Sequence, residues 1–134
     1  MTFLDSSTGD GRIFSGEWIS GSGEMYDAVE PATGKTLARV GSATPADVDK
    51  AVERATRAQR EWAARPYPDR AAVLRNAARL FEEHRREIET GLVRESGAGR
   101  PWAAHQVSGG GLEECHEAAA LAGAPYGEGR RSGQ

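Results

Sequence analysis

The sequence predicts an α+β unit: β-hairpins within residues 12–40, then three helices near 45–63, 68–95 and 102–122. Three observations predict it. Short β-prone runs alternate with glycine turns between Phe14 and Gly34. A Thr-Pro-Ala-Asp helix start stands at Thr44. Apolar residues then recur at helical spacing as far as Leu92.

Each element follows from its own residues. Residues 1–11 are polar and glycine-containing and are expected to be a flexible N-terminus. Arg12-Ile13-Phe14 and Glu17-Trp18-Ile19 flank Ser15-Gly16, a two-residue hairpin turn. Ser20 to Gly23 makes a second turn, and Tyr26 to Val29 and Thr36 to Val40 are two further strands. Between them Pro31-Ala32-Thr33-Gly34 turns the chain, because Pro fixes φ and Gly accepts φ > 0. In the first helix Thr44 caps, Pro45 takes the first position and Asp47 faces the positive end of the dipole. Its apolar stripe is Val48, Ala51, Val52, Ala55, Ala58 and Trp62.

Pro66-Tyr67-Pro68-Asp69 ends that helix and opens the next. The second stripe is Val73, Leu74, Ala77, Phe81, Ile88 and Leu92, opposite a charged face of Arg75, Arg79, Glu82, Glu83, Arg86 and Glu89. Gly97, Gly99 and Pro101 stop it. A third helical segment runs from Trp102 to Leu121. It contains Ser108-Gly109-Gly110-Gly111, expected to break or fray it because each Gly costs ~1 kcal/mol against Ala. Residues 12–126 thus form one folded unit, and the Gly-, Ser- and Arg-rich tail 127–134 is expected to be disordered.

Composition narrows the function classes. A length of 134 residues fits one domain, and a net charge of −3 argues against a nucleic-acid partner, which needs a basic face. No apolar run is long enough to span a bilayer, and the N-terminus lacks a signal peptide's basic and apolar regions, so cytoplasm is expected. The single Cys excludes an internal disulfide. Of the apolar residues 22 are Ala, whereas Leu, Ile, Val and Phe together number 20, about 15% of the chain. Such a core is thin, below the ~20% at which a charged chain reads as disordered. Low net charge and good periodicity argue for a fold, and the thin core for packing against something else.

Several motifs then fall in order. Phe14-Ser15-Gly16-Glu17-Trp18 resembles the "F-I-x-G-E-W" opening of the aldehyde dehydrogenase family. Glu30-Pro31-Ala32-Thr33-Gly34 resembles that family's "N-P-A-T-G", with Glu where Asn is usual. Ala46 to Val52 is similar to "A-D-V-D-x-A-V", and Asp69 to Leu74 to "x-R-A-x-x-L". Glu95-Ser96-Gly97 and Glu117 to Leu121 look most like the benzaldehyde, salicylaldehyde and vanillin dehydrogenases. The resemblance covers Arg12 to Glu128. It implies the N-terminal part of an α/β enzyme, without a complete Rossmann sheet. It implies NAD or NADP as cofactor of the parent family, with none expected for this chain alone. The family's catalytic Cys, general-base Glu, oxyanion Asn and cofactor-contacting Lys would lie beyond Gln134, so no catalytic or cofactor-binding residue is expected here.

The remaining reactive groups read as structural. Cys115 beside His116 lacks a positioned base, since helix neighbours point ~100° apart. His84 and His105 stand outside any spaced ligand set. Gly109-Gly110-Gly111 lacks the ending and the preceding strand of a phosphate loop. Trp18, Trp62 and Trp102 read as packing residues, for want of a basic groove. One site carries over in part from the resemblance: a monovalent cation held by the Val29 carbonyl and Glu95. The expected function is a truncated aldehyde dehydrogenase-like protein, inactive alone. The alternatives are a non-catalytic module that self-associates or docks on a full-length dehydrogenase or another partner, and a small enzyme that reuses the fragment.

Overall fold

Two separate two-stranded antiparallel sheets lead into a helical layer in the computed structural model, which describes residues 9–124. Strands β1 (Arg12–Phe14) and β2 (Trp18–Ser20) pair with Ile13 opposite Ile19 and Phe14 opposite Trp18. The Phe14 and Trp18 rings meet edge to face, with centroids 5.4 Å apart. This hairpin turns over three residues, Ser15-Gly16-Glu17, rather than the expected two, closed by the Ser15 N–H donating to the Glu17 carbonyl (2.9 Å). Strands β3 (Tyr26–Val29) and β4 (Thr36–Val40) keep the predicted bounds, with a bulge at Ala28/Val29. The Glu30 carbonyl closes their turn by accepting from the N–H groups of Thr33 and Gly34, and Gly34 takes φ 71°. The expected loose N-terminus falls largely on residues outside the described ones, but Asp10 bridges Val40 and the Gly11 N–H donates to Arg39 (3.0 Å). The tail 127–134 lies outside the described residues.

Helix α1 spans Pro45–Ala64, close to expectation. The predicted second helix divides in two: α2 (Tyr67–Glu83) and α3 (Arg85–Ser96) meet at His84, whose φ −101° and ψ 12° leave the helical basin. Polar contacts stitch the joint: Arg85 pairs with Glu82 (2.6 Å) and His84 Nδ1 lies 3.5 Å from Glu87. Gly97 ends α3 in the left-handed conformation, as a C-cap glycine should.

The third segment also departs from expectation. It starts at Arg100, and the glycines do not break it. Helix α4 (Arg100–His105) passes through a π-helical stretch (Gln106–Glu113) into α5 (Glu114–Leu121). The reason is packing. Gly111 is buried, and a Cβ there would stand 2.8 Å from the Phe81 ring. The absent side chain lets the widened helix lie directly on α2.

The core sits where α2 packs against the π-helical stretch and α5, and α4 against α3. It consists of Ala71, Ala78, Ala103, Val107 and Ala119, each at most 4% exposed. Small side chains let helices approach closely. The large residues of the second stripe, Leu74, Phe81, Ile88 and Leu92, are half-buried, while Val73, expected in that stripe, faces outward.

Candidate interaction site

Helix α1 stands apart from that core. Its N-terminus is anchored by Asp47, the one buried charged residue among those described. Asp47 Oδ2 accepts from the Thr44 N–H (2.9 Å) and hydroxyl (2.8 Å), and Oδ1 accepts from the Ser22 hydroxyl (2.9 Å). The Asp47 N–H donates back to Thr44 Oγ1, completing a capping box. These donors, the Thr44 N–H foremost and the two hydroxyls after it, hold the Asp47 carboxyl at a pKa of about 2, below its usual 3.8. Further along, Arg54 Nη1 donates to the Ser15 carbonyl (3.0 Å) and lies 3.7 Å from Glu17, pinning the first hairpin against the helix. At the far end Arg70 Nη1 donates to the Ala63 (3.1 Å) and Arg65 (2.9 Å) carbonyls.

Polar contacts therefore fix where α1 lies, and none of its apolar side chains is buried. Val48 is 52% exposed and Val52 58%. With Ile13, Phe14, Ala43 and Ala55 they line a groove of about 360 Å³. A neighbouring groove of about 510 Å³ continues along Ala51, Arg54, Ala55 and Ala58, under the Ser15–Glu17 turn. An apolar wall of this kind suits another apolar protein surface. The positive end of the α1 dipole, where an anion would be drawn, is taken by the Asp47 carboxylate.

The residues singled out in the sequence are scattered. Cys115 is half-buried in the first turn of α5, His105 lies over Gly109, and His84 marks the α2–α3 joint. Among the described residues no group of three or more His, Cys, Asp or Glu is placed to hold a metal ion. Trp18 and Trp102 are exposed, and Trp62 sits at the edge of exposure. On the charged face of α2 and α3, Arg79 is paired to Glu83, and beside it Arg85 to Glu82 and Glu89.

Val29 and Glu95 lie on two segments that the structure does join. Glu30, next to Val29, accepts from Arg94 Nε (3.0 Å), and the Gly97 backbone packs against Pro31. Hydrogen bonds from the Thr33 hydroxyl first and Arg94 second lower the Glu30 pKa. The Glu found at the family's Asn position is thereby partnered. Sequence reasoning did not single out Ser22, Arg54 or the Glu30–Arg94 pair. Their partners lie 25, 39 and 64 residues away, so no local pattern marks them.

Two hairpins, a pre-positioned amphipathic helix and a helical layer, with no parallel sheet among the described residues, define an α+β unit. The chain belongs to the aldehyde dehydrogenase family: that family's model matches residues 18–134. It is 44% identical to a vanillin dehydrogenase of Amycolatopsis over 128 residues, covering 96% of this chain and 26% of that protein. It is 42% identical to a benzaldehyde dehydrogenase of Pseudomonas putida over 117 residues, covering 87% and 24%. The crystal structure of an NAD-dependent benzaldehyde dehydrogenase from Corynebacterium glutamicum superposes with a TM-score of 0.84 at 33% identity, over 96% of this chain and 27% of that one. The chain thus spans about a quarter of the length of these relatives and corresponds to their N-terminal portion. All three are by name dehydrogenases of aromatic aldehydes, the branch whose motifs this chain resembles.

Proposed function

We propose that this chain is the N-terminal layer of an NAD- or NADP-dependent dehydrogenase for aromatic aldehydes, and that it does not oxidise aldehydes by itself. The 44% identity to a vanillin dehydrogenase along nearly the whole chain carries this reading. The parent chemistry is thiolate attack on the aldehyde, hydride transfer to the nicotinamide and hydrolysis of the thioester. We assign no described residue to any of these steps, because the family's motifs that carry them are not matched among residues 9–124. The proposed role is architectural: α1 and the hairpins cover the rest of the enzyme. The junction of the Val29–Pro31 turn with the end of α3 is proposed to carry part of a monovalent-cation site, the Val29 carbonyl and Glu95 each contributing an oxygen. The proposed compartment is the cytoplasm.

Replacing the matched quarter of the Amycolatopsis vanillin dehydrogenase with this chain tests the reading. The chimera is expected to oxidise vanillin and benzaldehyde with NAD or NADP. A folded chimera without activity would overturn the family assignment of function. The isolated chain is expected to leave NAD and NADP unreduced with either aldehyde. Reduction that Cys115→Ala abolishes would show a catalytic centre of its own.

A further inference from the structure

We propose that the helix running from α4 into α5 has two registers, and that the π-helical stretch is the joint over which α5 turns by one residue against α2. In the register of the structure Cys115 is half-buried. In the second, with α-helical turns throughout, Cys115 comes to the surface.

The inward-facing side chains require the first register. Ala103, Val107, Gly111, Cys115 and Ala119 follow one another at steps of four, all buried except Cys115, which is half-buried. An α-helix turns ~100° per residue, so each step of four overshoots by ~40°, and the run from Ala103 to Ala119 by ~160°. Only a wider helix keeps all five on one side. The stretch Gln106–Glu113 supplies that width, in a form that chains seldom adopt.

The second register lies close by. At the exit of the stretch the Glu114 N–H is shared between the carbonyls of Gly109 and Gly111, five and three residues back. It skips Gly110, the partner an α-helix would give it. A turn of α5 hands the N–H to Gly110. Gly109, Gly110 and Gly111 put no side chain in the way of that change of backbone angles. The interface with α2 tolerates it as well. Helix α5 packs on α2 through Ala119, its single buried residue, and an Ala stands on either side.

Returning the stretch to α-helical turns advances each residue of α5 by ~100°. Ala118 then enters the place of Ala119, so an Ala still faces α2. Gly110 approaches the Phe81 ring as Gly111 leaves it, and neither carries a Cβ to clash. Cys115 moves to where His116 is exposed, and Glu114 takes the half-buried place of Cys115. Drawing a carboxylate inward opposes the turn and keeps the first register dominant.

Alkylation of Cys115, the single Cys, by iodoacetamide reads the register, and circular dichroism reads folding. Ala119→Leu overfills the place against α2 in the first register and leaves it to Ala118 in the second. It is expected to raise the alkylation rate about tenfold at unchanged helical dichroism, an effect of the size that overpacking one site produces. Ala118→Leu, on the exposed side, is expected to alkylate no faster than wild type. Deleting Gly110 removes the surplus residue. That chain is expected to keep its dichroism, with Ala119 inward on α-helical turns alone. With no second register to enter, it should lose more of its urea midpoint to Ala119→Leu than the full chain does. An alkylation rate unchanged by Ala119→Leu, or raised only with loss of dichroism, would overturn the proposal. So would unfolding on deletion of Gly110, or an equal loss of midpoint in both backgrounds.

Discussion

Substituting alanine at Gly111 and at Gly110 should change stability in opposite directions, although the two residues are neighbours in one helical stretch. Propensity treats them alike: Gly to Ala inside a helix gains ~1 kcal/mol. The surroundings differ. At Gly110, which is exposed, a Cβ would meet only the tip of the Gln106 side chain, 3.4 Å away. At Gly111, which is buried, it would stand 2.8 Å from Phe81 Cδ1 and Cε1 and 3.1 Å from Cγ. Contacts below 3.0 Å force something to move. Phe81 Cγ is one bond from its own Cβ, so the ring cannot swing clear without a new rotamer or a shift of α2. Overpacking of this kind costs ~1–3 kcal/mol. Taking the upper half of that range and subtracting the propensity gain leaves Gly111→Ala about 1–2 kcal/mol less stable than wild type. Gly110→Ala should be neutral or up to about 1 kcal/mol more stable. Urea unfolding followed by circular dichroism at the helical band measures both. Equal stability of the two variants would refute the claim that Gly111 is there for close approach.

Acid should loosen the start of α1. The Asp47 pKa is depressed from 3.8 to about 2, so its contribution is complete above pH 3.8 and fades as pH falls through about 2. Asp47→Asn should therefore lower the unfolding midpoint at pH 6, and the gap from wild type should close as pH approaches 2; a gap independent of pH would contradict this. Arg94→Ala should raise the Glu30 pKa, read by carboxyl NMR titration, yet leave it below the ordinary 4.5, because the Thr33 hydrogen bond is the larger cause of its depression. The free chain should unfold at modest denaturant or self-associate, as sedimentation equilibrium with urea titration would reveal; a monodisperse monomer with a steep transition of ordinary stability would mean that the α2–α5 core suffices.

The elements written in local chemistry were legible. Turn residues at Pro31 to Gly34 delimit β3 and β4 to the residue, and Thr44-Pro45-Ala46-Asp47 places the start of α1. What escaped was set by distant partners. The stripe from Leu74 to Leu92 keeps a helical period across His84, so nothing local announces the break between α2 and α3. The glycines at 109–111 carry a breaking signal that tertiary packing overrides, because Phe81 of α2 needs the space that Gly111 leaves. For the candidate cation site, the sequence named two segments, and the structure supplied the Glu30–Arg94 pair that brings them together.

The distribution of side-chain size across the fold ties these observations together. The buried positions are taken by Ala71, Ala78, Ala103, Ala119 and one larger residue, Val107. Alanine permits close helix contact but brings little apolar area, and burial stabilises in proportion to area. The residues with more area, Phe14, Val48, Val52, Trp102 and Leu121, stand between 46% and 64% exposed. A chain selected to be stable alone would place them the other way round. The interior here spaces the helices, Leu74, Phe81, Ile88 and Leu92 are half-buried, and the larger apolar groups just named are exposed on the hairpin–α1 side and the α4–α5 side. The proposed function accounts for this pattern: in a layer of a larger enzyme the exposed apolar area would be buried against its neighbour. It explains why α1 is held by hydrogen bonds and charges instead of apolar contacts. On the proposed function, its apolar face is left for the rest of the enzyme to cover.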